Sequence, residues 1–331
     1  MELSLAREQV ALVEAVRKTV ERCVDRTPLS LRALDRAVYD ELGAGGLLDV
    51  LAAGGSQLDA VLVVDAVGRA GVCAPVAARV LVAPVLLGSS APEGIVALAD
   101  RPAAALVRFG GEADEILLLD GATARRLPAA QAEVTDADLP QGYPVARVTS
   151  PVGADGIDLG PDSGAQLRRL WQVGLAAEAG GLMAGAVLLA ARHVKERHQF
   201  GRPIGSYQAV QHRLALAHVA AEGVRWLARW AAWHPDNDEL AAAAATHAQV
   251  SAREVVRHVH QVAGAIGITQ EFGLTRYTGK LTLLASELGG PAASARTLAQ
   301  ARWGAGTVRR PAPGYRGRGQ VPLPVLAGVL G

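Results

Sequence analysis

Only two cysteines, Cys23 and Cys73, occur in 331 residues. That number excludes a disulfide framework and a four-cysteine zinc site, and both read as small apolar residues of a core. Lysine is nearly missing: Lys18, Lys195 and Lys280 stand against 30 arginines, so there is no lysine carpet for an anionic membrane. The net charge is +1 without a basic block, which argues against nucleic acid as the main partner. A signal-peptide pattern is not visible behind Met1-Glu2-Leu3-Ser4, and the expectation is a cytoplasmic protein without a membrane span. The longest apolar run, Val173 to Ala191, carries Glu178 and four glycines and leads into Arg192 and Lys195, which reads as a buried helix. There is no repeat of 20–50 residues, no dinucleotide glycine fingerprint, no phosphate loop and no nucleophile elbow. His247, His258 and His260 share no ligand face with a carboxylate, so no metal is assigned.

Half of the sequence is apolar, which is enough for a core and excludes a disordered chain. Residues 1–88 read as a helical domain. Leu5, Val10, Leu12, Val13, Val16, Val20 and Cys23 recur near helical spacing, and further helices are expected over 31–42, 58–70 and 77–87. Residues 89–158 read as a shortened β domain. Runs such as Ala105 to Phe109 and Glu115 to Leu119 are separated by Gly-Gly and Asp-Gly, and Asp120-Gly121 marks a hairpin. Long helices return over 159–303: Leu167 to Arg197, then 206–232 with Ser206 as N-cap, then 238–262 and 274–288. Short links make this an antiparallel bundle. Residues 304–331 form a Gly-, Pro- and Arg-rich tail in which Arg309 to Gly314 cannot be regular helix. Trp226, Trp230 and Trp233, spaced i, i+4, i+7, are expected to form a core or subunit-interface stripe.

Two segments stand out. One is Glu196-Arg197-His198-Gln199-Phe200-Gly201-Arg202-Pro203-Ile204-Gly205-Ser206-Tyr207-Gln208, and the other is Gln261-Val262-Ala263-Gly264-Ala265-Ile266-Gly267. The first resembles the link between two bundle helices in the acyl-CoA dehydrogenase family. The second resembles that family's Gln-x-His-Gly-Gly-x-Gly, in the same order and at a fitting separation. The resemblance covers about residues 1–300. It implies a mainly α fold with a small β insert: an N-terminal helical domain, a reduced middle β domain and a C-terminal four-helix bundle that binds FAD and oligomerises.

The resemblance also implies chemistry. A base removes the α-proton of an acyl-CoA while hydride leaves the β-carbon for FAD, giving a 2,3-enoyl-CoA. In the family FAD lies across a subunit interface. Arg197 is then expected on the diphosphate, since a guanidinium matches paired phosphate oxygens. Phe200 would pack on the cofactor, and Gln199, Gln208 and Gln261 would offer amide hydrogen bonds. Gly264 and Gly267 would let backbone N–H groups approach the phosphates.

Three departures from the family follow. The β domain is short, with Ala99-Asp100-Arg101-Pro102 where the family has a Thr-Glu-Pro-like stretch. The two positions where the family places its base fall at Leu288 and Trp171, neither a carboxylate. Ala263 and Ala265 replace the His and a Gly of the second motif. Glu287, one residue from the aligned position, is the candidate base. Glu178 is a second candidate base; a charge in so apolar a helix needs a partner, and the other reading is a structural pair with an arginine.

These departures resemble the shortened subunit of the bacterial heterotetrameric branch of the family, found in steroid and cholesterol degradation. Its expected partners are an acyl-CoA, a related subunit that supplies the base, and an electron-transfer flavoprotein. The alternatives are a self-sufficient homo-oligomeric dehydrogenase using Glu287, a flavin-free helical scaffold, and desaturation on a carrier protein instead of CoA.

Overall fold

The computed structural model describes residues 4–100, 105–137, 142–149 and 156–304. Arg101, Pro102 and the tail from 305 onward lie outside the described residues.

Helix α1 (Arg7–Val24) buries Val16, Thr19, Val20 and Cys23, the i, i+3, i+4, i+7 stripe of an amphipathic helix. Helix α2 is Arg36–Ala44, later and shorter than the expected 31–42 segment. The preceding residues turn instead: the Ser30 hydroxyl accepts from the Ala33 N–H at 2.8 Å, and the Asp35 carboxylate accepts from the Ser30 and Cys73 N–H groups at 2.7 Å each. Such local side-chain bonds compete with helix. Helix α3 (Gln57–Arg69) starts on a capping box between Ser56 and Asp59. The expected helix over 77–87 is split into a π-helical turn, Ala78–Val82, and the short α4 (Ala83–Leu87), where Pro84 lacks an N–H for the ladder. Both cysteines are buried.

Among the described residues, short strands follow. β1 (Val96–Asp100), β3 (Glu115–Asp120), β4 (Thr123–Pro128) and β7 (Ile157–Asp158) form one sheet in the order β1-β3-β4-β7, with β1 parallel to β3. The Asp120-Gly121 hairpin is present, pairing Asp120 with Thr123. β2 (Ala105–Arg108), β6 (Val145–Thr149) and β5 (Glu133–Asp136) form a second, antiparallel sheet. β3 is buried on both faces: Ile116 and Leu118 face a small cluster with Ala97, Val107 and Val148, while Leu117 and Leu119 join the main core. The region therefore does not stand on its own cluster alone.

Helix α5 (Ser163–Glu196) has 34 residues, about 50 Å of helix, and is apolar enough to cross a membrane by length and composition, yet most of that window is buried among other helices. Two-residue strands β8 (His198–Gln199) and β9 (Arg202–Pro203) make a hairpin, then α6 (Gln208–Trp233) and α7 (Asp238–Ala263) pack against α5 and each other. The residue before α6 is Tyr207, not the expected Ser206, whose hydroxyl instead donates to the Pro203 carbonyl at 2.7 Å. Asn237 caps α7 by accepting from Leu240 N–H at 3.0 Å.

The segment expected as a helix over 274–288 ends earlier. α8 is Thr275–Leu284, a 3₁₀ turn covers Glu287–Gly289, and a further helix, α9 (Gly290–Trp303), packs on α7. The break sits where Leu288, Gly289 and Gly290 have φ of +52°, +79° and +73° in succession, which no helix tolerates.

Packing between α3 and α5 is backbone-close. A Cβ on Gly68 would lie 2.8 Å from the Glu178 carbonyl oxygen, and one on Gly181 would strike the Asp65 carbonyl. Asp65 also binds Arg225 of α6 through both carboxylate oxygens, at 2.7 and 2.8 Å. These contacts fix the height of α5, and with it the position of Glu178.

Candidate functional site

The predicted residues fall in two places. The first is one end of the bundle. Short links make α5, α6 and α7 alternate in direction, so the C-terminal ends of α5 and α7 coincide. His193 near the end of α5 meets Phe272 beyond α7 edge-to-face, with ring centroids 5.0 Å apart. Arg197 follows α5 directly, is exposed, and has no side-chain hydrogen bond or ion pair among the described residues. Phe200 is 91% exposed and sits at φ +55° in the tip of the β8–β9 hairpin. Gln199, Gln208 and Gln261 are exposed as well. Gly264 ends α7 at φ +66°, and among the described residues nothing beyond its immediate chain neighbours lies within 4 Å of the place its Cβ would take. Gly267 differs: it is buried, and a Cβ there would lie 2.9 Å from that of Ala263. Its glycine is explained by packing.

An exposed guanidinium, outward amides and an open positive-φ glycine suit a diphosphate approached from outside the chain. An exposed aromatic ring beside them suits a planar cofactor. The FAD contacts expected of Arg197, Phe200, Gln261 and Gly264 therefore fit the geometry.

The second place is a cleft between the β region and α5. β2 brings Arg108, the bend just before β6 brings Tyr143, α5 brings Trp171 and Glu178, and the turn after α8 brings Glu287. Trp171, Gly174, Leu175 and Glu178 line it as one face of α5 at i, i+3, i+4, i+7. Arg108 donates to Glu178 from Nη1 at 3.1 and 3.3 Å, and pairs with Glu287 through Nε and Nη2. Trp171 Nε1 donates to Glu287 Oε2 at 2.8 Å, and Gln249 Nε2 donates to the Glu287 carbonyl at 2.8 Å. The Tyr143 hydroxyl donates to Glu178 Oε1 at 2.5 Å, and the Arg108 guanidinium lies 4.6 Å from the centre of the Tyr143 ring. Both oxygens of Glu287 are thus engaged by donors.

Electrostatics lock this cluster. Burial works against the charge of Arg108, yet Glu178 and Glu287 hold its pKa well above the ordinary value. Burial, reinforced by Glu178, pushes the Tyr143 phenol up. Fully buried Lys280 donates to the Gly71 carbonyl at 2.6 Å, 5.6 Å from the Tyr143 ring centre, and burial lowers its pKa. The cavity that remains has a volume of about 20 Å³. That is about one water's room.

Two alternatives weighed from the sequence meet here. Trp171, an aligned base position, binds Glu287, the carboxylate beside the other. Glu178 has the arginine that its burial demanded. Leu288 itself is buried in a left-handed turn. Arg108 and Tyr143 were missed. The available signal was a charge inside the apolar run Ala105-Leu106-Val107-Arg108-Phe109, the strand counterpart of Glu178 in its apolar helix. The tryptophan stripe is not this chain's core: Trp226, Trp230 and Trp233 are 38%, 45% and 65% exposed, with Leu216 and Val219 outward on the same helix.

Comparison with known proteins agrees with this architecture. Residues 171–302 match the acyl-CoA dehydrogenase C-terminal domain family. The chain is 29% identical to acyl-CoA dehydrogenase IpdE2 of Mycolicibacterium smegmatis, over 90% of this chain and 97% of that one. It is 30% identical to acyl-CoA dehydrogenase IpdE2 of Mycobacterium tuberculosis, over 74% of this chain and 79% of that one. In fold it is similar to a chain of the ChsE4–ChsE5 complex from Mycobacterium tuberculosis, with a TM-score of 0.77 and 22% identity over 91% of this chain and 98% of that chain. The fold is mostly helical with a small sheet region, and FAD is the cofactor of its relatives. The chain belongs to the acyl-CoA dehydrogenase family.

Proposed function

We propose that this chain is a subunit of an FAD-dependent acyl-CoA dehydrogenase, one that offers half of a flavin site to a related subunit and takes the catalytic base from that partner. The observation that carries this reading is the open end of the bundle. Arg197, Phe200, Gln261 and Gly264 face outward, and among the described residues no hydrogen bond or ion pair engages the Arg197 or Gln261 side chain. Arg197 would hold the diphosphate, Phe200 would cover the cofactor, Gln199, Gln208 and Gln261 would donate amide hydrogen bonds, and Gly264 would admit close backbone approach. FAD, when bound, supplies the hydride acceptor at the β-carbon of the acyl-CoA. The α-proton goes to the base, the product is a 2,3-enoyl-CoA, and the two electrons pass on to an electron-transfer flavoprotein. Steroid or cholesterol catabolism in the cytoplasm is the setting that the resemblance supports.

The rival reading, a homo-oligomer with Glu287 as base, requires that carboxylate to leave Arg108 and Trp171 before it can accept a proton. The apolar outward face of α6 supports contact with another subunit.

The test is the visible spectrum of the chain, purified alone and co-purified with its related partner. We expect a flavin band only in the pair, and its loss, at least tenfold in bound flavin, in the Arg197→Ala, Gln261→Ala double variant. A stoichiometric flavin band in the isolated chain returns the homo-oligomer. Flavin in neither sample returns the scaffold.

A further inference from the structure

The cleft beside α5 is closed from within. Arg108 and Phe109 are consecutive residues, yet both line the same cavity. In a regular strand their side chains would leave on opposite faces. The strand ends at Arg108, and Phe109 takes a left-handed backbone at φ +59°, a costly conformation for an aromatic residue that is 1% exposed. The turn swings the Phe109 ring inward, edge-on to Tyr143 with centroids 5.6 Å apart. It leaves the guanidinium of Arg108 at the centre, between one carboxylate from α5 and one from the turn after α8. The Glu287 end is set by the same device, a left-handed residue at Leu288. Beyond Trp171 the remaining walls are apolar, with Ala77, Ala97 and Gly174 small and Val82, Val96 and Leu98 larger. Apart from the ionic cluster, those apolar walls have the chemistry of a site for an acyl group; here the charged side chain of Arg108 lies among them.

We infer that Arg108 is the internal occupant of this chain's own acyl cleft, held there by Glu178 and Glu287, and that it decides which member of the pair takes acyl-CoA. The inference rests on the chain working as one member of a flavin-bound pair. Its consequence is that acyl thioester binds to the partner's cleft and not to this one, whatever the acyl chain.

The experiment counts bound trans-2-octenoyl-CoA, a product form that undergoes no turnover, by equilibrium dialysis against the co-purified pair. In the wild-type pair the number of sites should equal the number of flavins. The variant Arg108→Ala with Glu178→Gln and Glu287→Gln removes the whole ionic cluster and leaves none of that cluster's own charges unpaired, so it is expected to fold. It should add one site per copy of this chain. The variant Arg108→Met with the same two glutamines refills the space with a neutral chain and should add none. The inference is overturned if the wild-type pair already binds acyl-CoA in excess of flavin. It is equally overturned if the alanine variant, folded and carrying flavin, gains no site, or if the methionine variant gains as many as the alanine one. Loss of the flavin band from the wild-type pair would instead count against the proposed function, and is read separately.

Discussion

Arg108 and Glu287 are 179 residues apart in sequence and form one ion pair inside the cleft, with side chains 14% and 11% exposed. A pair so buried pays for desolvation by its mutual attraction and its extra hydrogen bonds, and removing one partner leaves the other uncompensated. Glu287→Ala should therefore destabilise the chain by about 3–5 kcal/mol, with Glu287→Gln about half as costly. Flavin content and turnover of the Glu287→Gln pair should stay within about twofold of wild type, a difference of about 0.4 kcal/mol. Denaturant unfolding and steady-state rates on the same preparation check both statements. A hundredfold loss of turnover with flavin retained would make Glu287 the base.

Glycine at position 181 is a packing requirement. Its missing Cβ is the space taken by the Asp65 carbonyl, with the Arg69 N–H 2.9 Å from where that carbon would lie. Gly181→Ala must push α3 away from α5, at about 1–3 kcal/mol. The urea midpoint should fall while the slope of the transition is unchanged. An unaltered midpoint would show that the two helices can slide apart without loss.

Acid should weaken the fold through its histidines. Burial lowers the pKa of His193, His247, His258 and His260 from the ordinary 6.5, with nearby Arg197 and Arg257 adding to the effect at His193 and His258. A lowered folded-state value means that the unfolded chain binds more protons once the pH drops below about 6.5. Stability from these groups is complete above that pH and is lost as the pH falls toward their folded-state values. The melting temperature should decline between about pH 7.5 and 6, and His247→Gln should flatten part of that slope. A melting temperature that rises over this interval would contradict the sign.

The long helices were legible for two reasons: α1, α6 and α7 repeat apolar residues near 3.6, and α3 and α5 are long apolar runs that only a buried helix accommodates. The hairpin at Asp120-Gly121 was legible from turn chemistry. Segments that failed did so for local reasons. Asp35 and Ser30 bind backbone that a helix would have used, Pro84 interrupts a ladder, and three positive-φ residues break the run after Leu284. Helix α9 has too few apolar residues for its period to stand out.

By itself, the sequence determined the element types, the family motifs around Arg197 and Gln261, and the need for a cation near Glu178, because each depends on neighbours within a few turns. Only the tertiary structure decided what Glu287 binds within the chain. Its partners Arg108 and Trp171 come from a strand and a helix 179 and 116 residues away. No spacing rule reaches so far: a carboxylate one residue from the base position can face a substrate or an arginine, and the choice is made by which side chain the folded cleft leaves beside it.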